Sequence, residues 1–248
     1  MRAGTTQRHV SFIESGRSAP GRSMVIRLAE SLDVPIRERN SLLLAAGFAP
    51  VYDNTPLDHP RLEPVRTALR HVLDGHLPYP AVVVDRAGDL VLANAAFHVL
   101  TSDIAEDLLV PPVSVARLFL HPGGLAPRIV NFDEWAWHVL DRLRAETLRA
   151  PHDKLRGLVE ELTALVPDRP RQPPPNYLGF AVPMRLRLGA GEMQLITTLS
   201  HFGTAIDVTI AELRLEAFLP ADAATATALS DLASHTAQAA QRDVCLIG

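Results

Sequence analysis

"PAVVVDRAGDLVLANAAF" (residues 80–97) decides how the larger part of this chain folds. A β-branched run, a four-residue polar break and a second aliphatic run read as strand, turn and strand, the signature of a hairpin. In the break Asp85-Arg86-Ala87-Gly88, glycine stands where a tight turn needs a positive φ. Asn94 then opens a helix around 94–101. Its side chain either caps that helix or points a polar group into a cavity, and capping is the commoner use of asparagine there. "MRLRLGAGEMQLITTLSHF" (184–202) reads as a second hairpin and "LRLEAFLP" (213–220) as a last strand. Helical periodicity precedes them over 61–76, separates them over 128–149 and 152–165, and follows them over 221–240, while "PDRPRQPPPNY" (167–177) reads as a surface loop. Hairpins separated by helices predict an α+β body, residues 61–248, with an antiparallel sheet rather than a doubly wound parallel one.

Ahead of this body the pattern changes. A threonine-capped helix is expected from Thr6 to about Glu14, broken by Ser15-Gly16-Arg17-Ser18-Ala19-Pro20. A second is expected over 22–32, and a third from Ile36 to Ala46, stopping at Gly47. "VYDNTPLDHP" (51–60) is the candidate linker, which gives a helical domain over 1–50. Those first 50 residues carry seven arginines against four acids, whereas the rest carries 17 basic and 24 acidic residues. Contact with a polyanion is therefore expected at the front. Cysteine occurs once, at Cys245, which excludes an internal disulfide framework and fits a reducing, cytoplasmic setting. No run of about 18 apolar residues suggests a membrane span.

"AGTTQRHVSFIESGRSAP" followed by "VIRLAESLDV" resembles the lambda-repressor-like, XRE-type helix-turn-helix, in residue type and in spacing. The longer series "RERNSLLLAAGFAP", "AVVVDRAGDLVLANAAF", "LFLHPGG" and "ITTLSHFGTAIDVTIAELRLEAFLPAD" resembles the MmyB-like transcription regulators. The resemblance implies an XRE-type domain in front of a PAS-like ligand-binding domain with an apolar pocket, and fatty-acyl-type ligands. Only "MRAG" precedes the turn, whereas a complete domain of this type places two helices ahead of the recognition helix. Either the start lies upstream or the protein is shortened and its remnant helices pack on the body or on a second chain. For the chain as given, DNA binding is expected to be weak or absent.

On that resemblance, Thr6, Gln7, Arg8 and Ser11 occupy the base-reading half of the recognition helix, with Arg17 and Arg22 in reach of phosphates. The plainer alternative is a solvated polar face. For the sensor, "VNFDEWAWHVLDRL" places Trp135 and His138 one turn apart on a face shared with Phe132 and Val139. A tryptophan-lined cavity with one convergent polar group suits a long apolar ligand with a polar head. Leu92, Phe97, Leu118, Phe119, Trp135 and Thr197 are the lining candidates, with Asn94 or His138 as polar anchor. Taken singly, each apolar member could equally be plain core. His71 and His76 stand five apart, the other histidines are scattered, and no phosphate loop or nucleophile motif occurs, so no metal, cofactor or catalysis is expected. The expected partners are DNA, given a complete N-terminus, an apolar small molecule of the fatty-acid type, and a second copy in a homodimer.

Overall fold

The computed structural model describes residues 4–101, 104–168, 178, 181–189, 191–202 and 205–245, with side chains described as far as Ser234. The chain divides into two compact units: Met1–Leu62 together with Phe202–Glu212, and Glu63–His201 together with Leu213–Gly248.

The first unit holds α1 (Gln7–Glu14), α2 (Arg22–Ser31), α3 (Ile36–Ala45) and the short α9 (Val208–Ala211). Local chemistry sets these helix ends. The Thr6 hydroxyl accepts the His9 N–H at 3.2 Å, starting α1. Gly16, at φ 71°, ends it, and the Arg17 N–H turns back to the Phe12 carbonyl at 2.8 Å. Met24, Val25 and Ala29 of α2 and Leu43 of α3 are buried, but α1 buries no side chain. Residues 51–55, expected as linker, are tied down. Asn40 accepts the N–H groups of Val51 and Tyr52 and donates to the Tyr52 carbonyl. The 202–212 segment belongs to the same unit through Arg37, which grips both Glu212 carboxylate oxygens at 2.6 and 2.8 Å. Asp207 adds a bond from the Thr55 N–H, and the Val208 N–H donates to the Asp53 carbonyl.

The second unit is built on five strands, β1 (Ala81–Val84), β2 (Leu90–Ala93), β3 (Met184–Leu188), β4 (Gly191–His201) and β5 (Arg214–Pro220). They run antiparallel in the order β2-β1-β5-β4-β3. Both expected hairpins form, and Gly88 takes φ 80° in the first turn. Side chains directly opposite one another share a face of the sheet. The register therefore puts Val82, Val84, Arg214, Glu216, Phe218, Thr197 and Leu199 on one face, and Ala81, Val83, Leu215, Ala217 and Thr198 on the other.

The unit's helices are α4 (Glu63–Asp74), α5 (Ala95–Leu100), α6 (Val115–Leu120), α7 (Phe132–Arg149), α8 (Asp153–Leu165) and α10 (Ala223–Cys245). Helix α4 contacts β1 and β2, and α10 contacts β4 and β5. Helix α7 buries Trp135, Ala136, Val139, Leu140 and Leu143 on one stripe, as its three-and-four spacing requires. Helix α8 returns antiparallel after Pro151 and buries Leu155, Leu158, Val159 and Leu162. With α6 these helices form one apolar core with the Phe218 face of the sheet. Gly124 lets the chain turn tightly after α6: a Cβ there would collide with the Leu118 carbonyl, the group that receives the Leu125 N–H.

Candidate ligand cavity and DNA-reading helix

A cavity of about 280 Å³, partly open to solvent, lies in the second unit, between α7 and the β4–β5 part of the sheet. Its size is near the lower end of small-molecule sites, roughly 300 Å³. One end is aromatic and aliphatic. The Phe119 ring stands 5.0 Å from Phe218 and 5.6 Å from Trp135, and Val139, Leu143 and Leu158 complete that wall. The other end is ionic, formed by Arg142 and His138 of α7 with Arg214 and Glu216 of β5.

The ionic end is a buried network. Glu216 is fully inside, its side chain 5% exposed. Arg214 donates to it from Nε at 3.0 Å and lies at 2.8 Å through Nη2, while Nη1 reaches Glu146 at 2.7 Å. Arg142 adds one bond from Nη1 at 3.3 Å. Burial works to raise the Glu216 pKa, but Arg142 and Arg214 together outweigh it and hold the carboxyl below its usual range. Burial likewise works against the Arg214 charge, and Glu216 and Glu146 overcome it, raising the guanidinium above its ordinary value. His138, half-buried, is held below the ordinary imidazole value by burial first and then by the Arg142 charge, with Asp141 opposing.

Four of the eight candidates from the sequence line this cavity: Phe119, Trp135, His138 and Thr197. The other four stand elsewhere. Leu92 pairs with Val83 on the opposite face of the sheet. Asn94 is a structural joint whose Oδ1 accepts the N–H groups of Phe97 and Ala81, while Nδ2 donates to the carbonyls of Leu73 and Tyr79. Every hydrogen-bonding position of that amide is spent on the fold, so the capping alternative describes it. Phe97 is sealed behind Phe119 and Phe218, and Leu118 packs inward from α6. Arg142, Arg214 and Glu216 also line the cavity, though none stands among the sequence candidates. The signal for Arg214 and Glu216 is two charges alternating within an otherwise apolar strand, in "LRLEAFLP".

In the first unit, Gln7, Arg8 and Ser11 are exposed along α1 and Arg17 and Arg22 are exposed beyond it. Thr6 spends its hydroxyl oxygen on the helix cap. The Arg8 guanidinium lies 5.3 Å from the Phe12 ring centroid, which holds it along the helix surface.

The model of the MmyB-like transcription regulator ligand binding domain matches residues 65–232, the span that contains the whole cavity. The chain belongs to the MmyB-like transcription regulator family. A helix-turn-helix model matches residues 1–39, which take in α1 and α2. No curated protein matches the chain. This MmyB-like protein therefore joins a helix-turn-helix region to a ligand-binding domain, the layout of a ligand-responsive transcription regulator. Both matched descriptions are of binding domains. Among the described residues no helix is long and apolar enough to cross a membrane.

Proposed function

We propose that this regulator senses a fatty-acyl-type small molecule held in the α7–β5 cavity and alters DNA binding by its N-terminal unit in response. The observation that supports the reading is the cavity's composition: an aromatic end at Phe119, Trp135 and Phe218, and a buried ionic end at Arg142, Arg214 and Glu216. The response has a covalent route. Strands β4 and β5, which line the cavity through Thr197 and Glu216, run on into residues 202–212, and that segment is held in the helical unit by the Arg37–Glu212 pair. In this reading Thr6, Gln7, Arg8 and Ser11 read base edges while Arg17 and Arg22 meet phosphates, in a cytoplasmic homodimer that presents two recognition helices to paired half-sites. Titrating a fluorescent fatty acid into the protein, with a melting curve on Trp135→Ala, tests the sensor half. The variant should lose acyl-chain binding. A variant that binds normally but melts much earlier would assign Trp135 to the core alone.

A second reading is favoured by the absence of any buried side chain in α1. A recognition helix so thinly packed is poorly held for insertion into a groove, so binding by the chain as given is weak, and the protein could serve as a stand-alone lipid-binding module. Gel shifts of this chain with an inverted-repeat library separate the readings. Sequence-specific, salt-sensitive binding supports the regulator. The absence of specific binding supports the module.

A further inference from the structure

We propose that the outer edge of β4, over residues 196–201, is a dimer contact at which the same stretch of a second copy pairs antiparallel across a two-fold axis. This rests on the homodimer reading above and names the surface that forms it.

Strand β4 outruns one of its neighbours. β3 pairs with it only from Gly191 to Leu195, whereas β5 pairs with it from Leu195 on through His201. Main-chain groups point to alternate sides along a strand. The Gln194 carbonyl accepts the Ala221 N–H, just past the end of β5, at 2.8 Å, which turns Ile196, Thr198 and Ser200 toward β5 as well. Thr197, Leu199 and His201 therefore direct their N–H and C=O groups outward, and among the described residues nothing bonds to them. Thr198, Leu199, Ser200 and His201 are exposed, and alternation places them on both faces of the sheet.

The other two edges of the sheet are partly covered. Outside β2, the Leu90 N–H donates to the Val113 carbonyl at 2.7 Å, and Asp89 bridges to Ser114. Outside β3, the Arg185 carbonyl accepts the Val130 N–H at 2.7 Å, and Asn131 Oδ1 accepts the Arg185 N–H at 2.9 Å. "ITTLSH" (196–201) holds no lysine, arginine, acid or proline, the residues that blunt an exposed edge. A second copy fits this edge because the stretch complements itself. Antiparallel pairing centred on Leu199 sets that residue against the partner's Leu199, and His201 against the partner's Thr197. All three outward residues then sit in hydrogen-bonded pairs, the one like-with-like pair is apolar, and no like charges face each other. Thr197 and Leu199 also line the cavity, so one strand carries both the cavity wall and the dimer contact.

The test is sedimentation of the full chain, as wild type and as Leu199→Pro, with oxidative cross-linking of Leu199→Cys in a Cys245→Ser background. Wild type should sediment at twice the chain mass. Proline at 199 removes an outward N–H and no bond to β5, a place where a strand edge tolerates it, so Leu199→Pro should stay folded. Its dimer dissociation constant should rise roughly 10- to 100-fold through the main-chain bonds lost on both copies. Leu199→Cys should link chain to chain, since a hydrogen-bonded pair holds its Cα atoms about 5.5 Å apart, within disulfide reach. A monomeric wild type would overturn the proposal together with the homodimer reading, and leave acyl binding untouched. A dimer that a folded Leu199→Pro does not weaken would overturn the assignment to β4 and leave the homodimer standing. A dimer in which Leu199→Cys fails to cross-link would overturn the pairing centred on Leu199. The cross-link decides even if the proline variant does not fold.

Discussion

The two units of this protein keep their shape by different means. In the first, α1 buries nothing, α3 buries only Leu43, and Leu32 and Leu44 stand 73% and 60% exposed. Its order comes from caps, glycine turns and a few long-range polar clasps such as Arg37–Glu212. In the second, α7 alone buries five side chains against a sheet whose strand β1 is wholly buried. Apolar burial supplies most of the favourable free energy of folding, whereas each cap or exposed ion pair supplies about 1 kcal/mol or less. The comparison teaches that a helix can be correctly shaped by its local sequence and still be weakly held.

The largest expected effect lies in amide exchange. Protons of α1 should exchange orders of magnitude faster than those of β1 and β5, because α1 only half-buries Val10, Phe12 and Ile13 and fully buries no side chain. Equal protection in the two units would show that α1 is covered by something in solution, such as a second chain. Trp135→Ala, at a residue 4% exposed, should cost about 3–5 kcal/mol in a denaturant melt of the sensor, whereas Ile13→Ala in α1 should cost under about 1 kcal/mol. Comparable losses would erase the contrast between the units. Gly124→Ala should destabilise the sensor by roughly 2 kcal/mol or more, because the added methyl meets the Leu118 carbonyl rather than a flexible side-chain end. A neutral outcome would mean the turn after α6 can shift at little cost.

The smallest effect is a pH dependence. Burial and Arg142 hold the His138 pKa below its unfolded value in the folded sensor, so below about pH 6.5 the unfolded chain binds the extra proton more readily. The stability contributed by His138 is therefore complete above that pH and is lost as pH falls through it toward the folded value. The charged groups around this imidazole are Arg142 and Asp141 on its own helix and Arg214 and Glu216 across the cavity on β5. His138→Gln should flatten the melting temperature between about pH 5 and 7, by a degree or two. Bound carboxylate would oppose the depression and weaken the slope. An unchanged slope in the variant would move the effect to another group.

Much of this architecture was legible in the sequence because period and punctuation were strong. The Asp85–Gly88 turn, the break at Pro151 and the Asn94 position each marked a boundary the structure keeps. Strand order was not legible. Nothing in "LVLA" tells that β2 lies at the sheet edge, with two strands between it and β4, or that its register turns Leu92 away from α7. Phe97 and Leu118 stand out in the sequence only as large and apolar, which does not separate a cavity wall from the sealed core beside it. Arg142 was hidden for another reason. On a helix face an arginine reads as a solvated residue, and only the buried Glu216, two strands' connections away in sequence, draws it inward. The 202–212 clasp was unreadable for the same cause, since Arg37 and Glu212 are 175 residues apart.

Native mass spectrometry of the purified protein tests the central claim most directly, read beside Leu158→Trp, a variant that fills the cavity from α8. The account predicts a lipid-mass adduct, one per chain, on the wild-type protein and its loss from a folded Leu158→Trp. A wild-type protein that takes up no fatty acid even when it is supplied, or an adduct that survives filling of the cavity, would contradict it.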